Sequence, residues 1–291
     1  MEEMSKPSIS LVLATLGRAD EISRLVESLA KQTQTLHELV VVDQNPDDRV
    51  IPYLAQARQT GLAVKHLRLT KPNLSAARNR GIAEASGDVI AFPDDDCWYA
   101  PDLIEQVQLA FLQYPGWDAL VAQWVEQAEG VGRQVVEGQT LSAAAWRQFR
   151  GGEASSISLF VKASALRRFG GFDDRFGVGQ WFGAGEETDL LLNLLSGGAL
   201  IGHWPMARVH HRFVPQALVR QPGQWRSLLH RSRGTGAIYV KHRLAGWIVL
   251  RGFLSPLAKA LWQWRGLRAL ALALVETFGR LQGACMWLIT R

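Results

Sequence analysis

The chain has 291 residues, 47% hydrophobic and 20% charged, which suffices for one large core or a core with an appendage and excludes a disordered polymer. A net charge of +5 hides a division: residues 1–207 hold 18 Lys/Arg against 26 Asp/Glu, whereas residues 208–291 hold 14 Lys/Arg against the single acid Glu276. Two cysteines, Cys97 and Cys285, lack a Cys or His at ligand spacing, which excludes a disulfide framework and a structural zinc site.

The start, Met1-Glu2-Glu3-Met4-Ser5-Lys6, is acidic and polar where a secretory signal is basic and then apolar, so a cytosolic chain is expected. Ser8 to Ala14 predicts a strand, and Ala19 to Lys31, with Ile22, Leu25, Val26 and Leu29 at helical spacing, predicts the helix after it. Glu38 to Asp43 is a near-continuous apolar run of the kind buried on both faces of a parallel sheet. A helix over 50–60, a strand over 63–69, a helix over 74–85 and a strand over 89–92 complete an alternation that predicts a doubly wound α/β domain. Beyond Pro101 follow a helix to about Gln113, strands over 120–127 and 157–161, and a helix from Glu187 to about Ser196. The segment from Ala217 reads as helical, with breaks near Gly234-Gly236, Gly246, Pro256 and Gly266. No stretch has the roughly 20 predominantly apolar residues of a membrane span.

The triple carboxylate Asp94-Asp95-Asp96 ends the apolar run Val89 to Pro93. Three acids at the carboxyl edge of a sheet repel one another unless a cation neutralises them, and hard oxygen ligands favour Mg²⁺ or Mn²⁺. The same acids could instead cap helices. Thr15, Arg18 and Asp43 fall at the ends of other strands, so several strands point polar groups at one rim. The Gly-rich region 177–185 has neither dinucleotide-binding nor P-loop spacing.

The runs Ser10 to Arg18, Val40-Val41-Val42-Asp43, Leu74 to Ala83 and Asp88 to Asp96 resemble the family 2 glycosyltransferases, and the likeness resumes at Gly170 to Asp173 and Gly185 to Leu190. The resemblance implies a GT-A fold, a Rossmann-like, mostly parallel sheet with flanking helices, over residues 1–215: a nucleotide-sugar half at about 8–115 and an acceptor half at about 116–215. A basic helical extension, 216–291, follows. It implies that Asp94-Asp95-Asp96 is the family's DxD motif, with Asp94 and Asp95 near the donor and Asp94 and Asp96 on a divalent ion. Asp43 would recognise the base, Thr15 and Arg18 would wrap the nucleotide, and Arg78 would reach the diphosphate or help position the Asp43 loop, or else form an ordinary helix-surface ion pair. Glu186-Glu187 takes the place of the family's acceptor-side Glu-Asp, with Glu187 as general base and Asp189 as the next choice. Both acids also suit the positive end of a helix dipole. Glu186 and Trp181 are assigned to the acceptor side. His210 or His211, His210 slightly preferred, would complete the metal site.

The implied activity is inverting, metal-dependent transfer of one sugar from a nucleoside-diphosphate sugar to a saccharide or lipid-linked acceptor, in cell-envelope or exopolysaccharide synthesis. The rivals are a sugar nucleotidyltransferase, whose Gly-rich, Lys-bearing first loop is missing from Thr15-Leu16-Gly17-Arg18, and a non-catalytic nucleotide-sugar-binding module. In the basic tail, Trp225, Trp247, Trp262, Trp264 and Trp287 alternate with aliphatic residues, a pattern that fits an anionic membrane surface better than nucleic acid. The expected location is the inner face of the cytoplasmic membrane, with core-packing helices as the alternative for the tail.

Overall fold

A computed structural model describes residues 5–126, 138–149, 154–211, 223–263 and 266–290. The expected alternation is present: β1 (Ile9–Thr15), α1 (Asp20–Ala30), β2 (Glu38–Asp43), α2 (Ile51–Gln59), β3 (Val64–Arg68), α3 (Leu74–Glu84) and β4 (Val89–Ala91). Then come β5 (Cys97–Tyr99), α4 (Leu103–Gln113), β6 (Ala119–Glu126), α5 (Ala143–Arg147), a 3₁₀ turn (Ser156–Ser158), β7 (Leu159–Lys162), α6 (Ala163–Phe169), α7 (Glu186–Ser196) and β8 (Ile201–His211). Three helices close the chain: α8 (Gln224–Lys241), α9 (Gly246–Trp262) and α10 (Leu267–Ile289). Position 127, the expected end of the strand at β6, and residues 217–222 of the expected helical tail lie outside the described residues.

One eight-stranded sheet runs β3-β2-β1-β4-β7-β6-β8-β5. Its first four strands are parallel, and β4 then pairs antiparallel with β7. The near-continuous apolar strands serve two cores. Leu11, Leu13, Leu39 and Val41 pack with Ile22 and Leu25 of α1, while Val12, Val40 and Val42 face the other way toward Ala77 of α3 and the α7 leucines. Each such fully buried side chain contributes about 1.5–3 kcal/mol of transfer free energy.

An irregularity in β8 matters for the site. Ala122 of β6 opposes Trp204, yet the next residue, Gln123, opposes Arg208, so residues 205–207 bulge out. Beyond the bulge β8 pairs antiparallel with the short β5, matching Tyr99 with Val209, Trp98 with His210 and Cys97 with His211. Nothing in the apolar pattern announced β5, because three residues are too few for a period.

The expected breaks at Gly234-Gly236 and Pro256 are absent, since α8 runs through both glycines and α9 through the proline. Gly246 and Gly266 do mark helix starts. The α8 glycines admit neighbouring backbone: a Cβ on Gly234 would lie 1.8 Å from the Ala184 carbonyl oxygen, and one on Gly236 1.9 Å from that of Arg280. Close packing thus offsets the ~1 kcal/mol helix cost of each glycine. Pro256 cannot donate to the Gly252 carbonyl one turn back, and that oxygen is satisfied instead by the Arg280 guanidinium and, at 3.3 Å, by Ser255 Oγ. Gly234→Ala should therefore destabilise the chain by about 1–3 kcal/mol. In thermal unfolding Gly246→Ala, whose new methyl meets nothing within 4 Å, should leave the midpoint unchanged or raised.

Candidate active site

The parallel strands deliver their C-terminal ends to one rim. Thr15 Oγ1, at the end of β1, donates to Asp95 Oδ2 at 3.1 Å. Arg18, in the loop that follows, donates to Asp95 Oδ1 at 3.1 Å and also to Asp96. Asp95 is buried, and burial pushes its carboxyl up to about 6, with Asp94 and Asp96 adding to the rise while Arg18 and Thr15 oppose it. Asp96 is held below its ordinary value, chiefly by the hydrogen bond from His211.

Ligand atoms of Asp94, Asp96 and His211 all lie within 4.8 Å of one another. His211 Nε2 is 3.0 Å from Asp96 Oδ1, and its buried Nδ1 has no hydrogen-bond partner. Two carboxylates and an imidazole within this reach fit an ion such as Mn²⁺ or Mg²⁺, and three adjacent acids supply the negative field that would hold it. The register between β5 and β8 selects the histidine. His211 falls on the face of Asp96, while His210 points the opposite way and stacks on Trp98 at 5.5 Å, with the Arg24 guanidinium also 3.2 Å from that indole ring. The structure thus brings His211, rather than the preferred His210, to the acidic cluster.

Asp43 is fully buried at the end of β2 and accepts from the Asn45 backbone N–H at 2.9 Å and side-chain amide at 2.8 Å, with His66 Nε2 at 3.1 Å. It shapes the loop that sets Gln44 and Asn45 beside Gly17 and Asn73; Asn45 Oδ1 accepts from Gly17 N–H at 2.6 Å and Gln44 Oε1 from Asn73 N–H at 2.6 Å. Gln44 and Asn73 were not singled out in the sequence; the available signals were the polar pair Gln44-Asn45 directly after a strand-end Asp and, for Asn73, its place as the N-cap of α3.

Arg78 is not a surface residue: it is 2% exposed inside α3. Its NH2 donates to Asp94 Oδ1 at 3.0 Å and Ser156 Oγ at 3.1 Å, while its NH1, 3.6 Å from Glu186 Oε1, has no hydrogen-bond partner. Ser156 in turn donates its backbone N–H to Glu187 Oε2 at 3.2 Å. Asp94 and Glu187 are therefore joined through Arg78 and Ser156. Glu186 is buried, and burial first, then neighbouring Glu187, raises its carboxyl pKa against the pull of Arg78.

Gly185, at φ +101°, lets the chain turn into α7 with Glu186 and Glu187 in the first turn. Helix α8 braces this turn, because the Gly183 N–H donates to the His230 carbonyl at 3.0 Å. Asp189 is fully buried and does not line either of the two clefts described below. Lys241 Nζ at 2.6 Å and His242 Nε2 at 2.7 Å enclose it and fasten α7 to the end of α8. Trp181 sits in the loop before α7, 36% exposed, with Arg233 4.4 Å from its ring centroid.

Two clefts meet here. The first, about 390 Å³, is walled by Arg18, Gln44, Asn73, Asp94 to Asp96 and His211. The second, about 730 Å³, holds Glu186 and Glu187 opposite Ser227, His230 and Arg231 of α8. Arg18 and Val178 belong to both, so the clefts are contiguous.

A sheet of this topology with an Asp-Asp-His cluster at its strand ends defines a protein of the GT-A architecture. The chain belongs to the family described as glycosyl transferase family 2, whose profile matches residues 10–175. It is 35% identical over 99 residues to uncharacterized glycosyltransferase YwdF of Bacillus subtilis (strain 168), covering 34% of this chain and 36% of that protein. It is 30% identical over 110 residues to amylovoran biosynthesis glycosyltransferase AmsB of Erwinia amylovora, covering 36% of each. The match thus spans about a third of the length of these curated relatives. Among solved structures, a mannosyltransferase from Pyrobaculum calidifontis in complex with GDP-Man and Mn²⁺ superposes with a TM-score of 0.62 at 16% identity, covering 99% of this chain and 89% of that one. Among the described residues no helix is long and apolar enough to cross a membrane.

Proposed function

We propose that the chain moves one sugar from a nucleoside-diphosphate sugar to a hydroxyl of a saccharide or lipid-linked acceptor, with inversion at the anomeric carbon. The contiguity of the two clefts supports this reading most directly. A diphosphate held beside Asp94 to Asp96 in the first cleft would have the second cleft, with Glu187, open to its sugar past Arg18 and Val178. Asp94, Asp96 and His211 would hold Mg²⁺ or Mn²⁺, which when bound stabilises the charge on the departing diphosphate.

The chain's own groups do the rest. Arg18 supplies fixed positive charge beside the diphosphate, and Arg78, tied to Asp94, keeps that carboxylate in place. Glu187 takes the proton of the acceptor hydroxyl as its oxygen attacks the anomeric carbon. The bond from that carbon to the diphosphate oxygen breaks, and its electron pair leaves with the diphosphate. No covalent enzyme intermediate is required. The GDP-Man and Mn²⁺ bound by the Pyrobaculum neighbour support the donor class, and the Erwinia relative's place in amylovoran biosynthesis supports a biosynthetic role of the envelope or exopolysaccharide kind. Trp287 of the basic tail is buried in the core and Trp264 lies outside the described residues, but the exposed Trp225, Trp247 and Trp262 with their leucine neighbours support work at an anionic membrane surface on the cytoplasmic side.

The test is a donor screen with acceptor and Mn²⁺ that follows nucleoside diphosphate release and reads the product's anomeric configuration by NMR. Diphosphate release with inversion is expected. Retention of configuration, or release of pyrophosphate as in a nucleotidyltransferase, would refute the proposal.

A further inference from the structure

Away from both clefts, a cavity of about 490 Å³ opens between α8, α9 and α10, lined by Thr235, Tyr239, Arg251, Ser255 and Arg280 among others. Its charge is not balanced. Arg280 is paired with Glu276, the only acid of residues 208–291, and also donates to the Gly252 carbonyl, whereas Arg251 donates to the Gln148 carbonyl and among the described residues has no acid partner. Arg280 Nε is buried without a hydrogen-bond partner, and the hydroxyls of Thr235, Tyr239 and Ser255 share the same walls. With Ser255 Oγ and the terminal Arg280 nitrogens engaged by Gly252 and Glu276, the Arg251 guanidinium, Arg280 Nε and the hydroxyls of Thr235 and Tyr239 form a donor set suited to a phosphate.

The surroundings identify the bearer of that phosphate. Trp247, Leu250, Leu254 and Leu261 recur at helical spacing along α9, and each is more than half exposed. Trp247 stands beside Arg251, with 5.3 Å between the guanidinium carbon and the ring centroid. An apolar helix face next to a cationic cavity, in a segment with 14 basic residues and one acid, matches a bilayer of anionic lipids.

We propose that this cavity binds the headgroup phosphate of an anionic phospholipid, with the α9 face seated among the acyl chains. The inference rests on the reading of the C-terminal segment as a membrane-surface element, and adds a defined headgroup site to it. A general basic surface attracts vesicles through any of its charges, each contributing about 1 kcal/mol, or roughly fivefold. A site that grips phosphate through a guanidinium fork depends on Arg251 more steeply, by about tenfold or more.

The experiment measures co-sedimentation of the full chain with vesicles of phosphatidylcholine containing phosphatidylglycerol, at fixed salt, against phosphatidylcholine alone. Arg251→Gln should weaken binding by about tenfold or more, and Arg226→Gln, an exposed arginine outside both the cavity and the clefts, by about fivefold or less. Ser255→Asp supplies the cavity with its own carboxylate and should match Arg251→Gln while unfolding at the wild-type temperature, so the test survives if Arg251→Gln fails to fold. Equal losses for Arg251→Gln and Arg226→Gln would overturn the headgroup site and leave a general basic surface. Stabilisation of the wild type by inorganic phosphate without vesicle binding would assign the cavity to a soluble ligand and overturn the lipid source. Absence of wild-type binding to either vesicle, with no effect of phosphate, would remove the membrane reading itself.

Discussion

Asp96→Ala is expected to abolish the divalent-cation dependence of donor binding and to slow transfer by roughly a thousandfold or more, the equivalent of several kcal/mol of lost charge stabilisation. Asp96 sits between Arg18 and His211 and shares the only grouping of potential metal ligands found among the described residues. Alanine at this position would remove one of the two carboxylates in the proposed Asp94, Asp96 and His211 set, and with it much of the negative charge that would hold an ion against the donor's phosphates. It also frees His211 from its carboxylate partner and leaves Arg18 paired with Asp95 alone. Weak donor binding through the Arg18 guanidinium should therefore survive and be insensitive to Mn²⁺, which distinguishes a lost metal from a lost fold. His210→Ala is the matched control: its imidazole stacks on Trp98 away from the cluster, so metal dependence should persist. Titration of a nucleoside-diphosphate sugar with and without Mn²⁺, followed calorimetrically, reads these differences.

Glu187→Gln is expected to leave donor affinity nearly unchanged and to lower kcat by about 10²–10⁴, the range for removal of a general base. Glutamine retains the side-chain oxygen that accepts from the Ser156 N–H, so the link from Glu187 through Ser156 to Arg78 can persist. What it loses is the capacity to take the hydroxyl proton. The split between KM and kcat is the diagnostic, measured by initial rates over both substrates. Full activity in Glu187→Gln would exclude this residue as the base. Asp189, the alternative acid, lacks access to either cleft and has its oxygens committed to Lys241 and His242, so its contribution reads as attachment of α7 to α8.

The residues that were legible in advance are those whose environment is local. The strands β1, β2 and β4 and the helices between them follow from apolar runs and helical spacing, and the sheet's parallel order places Thr15, Asp43 and the triple Asp on one rim. Side chains whose role depends on distant partners were not legible. His210 and His211 are equivalent in sequence, and only the three-residue pairing of β5 with β8, set by the bulge at residues 205–207, decides which one meets Asp96. Arg78 looks like a helix-surface cation until the packing of α3 against the sheet buries it beside Asp94 and Ser156. Gly234 and Gly236 carry the propensity of a helix break, but the Ala184 and Arg280 carbonyls approach so closely that only glycine fits, and packing overrides propensity. Pro256 is tolerated because Arg280, 24 residues later, takes over the carbonyl it cannot serve.

The central claim is that the carboxylates after β4 and the imidazole at the end of β8 together hold the ion that grips an activated sugar. Anomalous diffraction from crystals soaked with Mn²⁺ and a nucleoside-diphosphate sugar tests this most directly. One Mn²⁺ peak among Asp94, Asp96 and His211, in a crystal that also shows the donor's diphosphate beside them, is the expected result. A bound donor with its diphosphate elsewhere, or a Mn²⁺ peak remote from these three side chains, would contradict it.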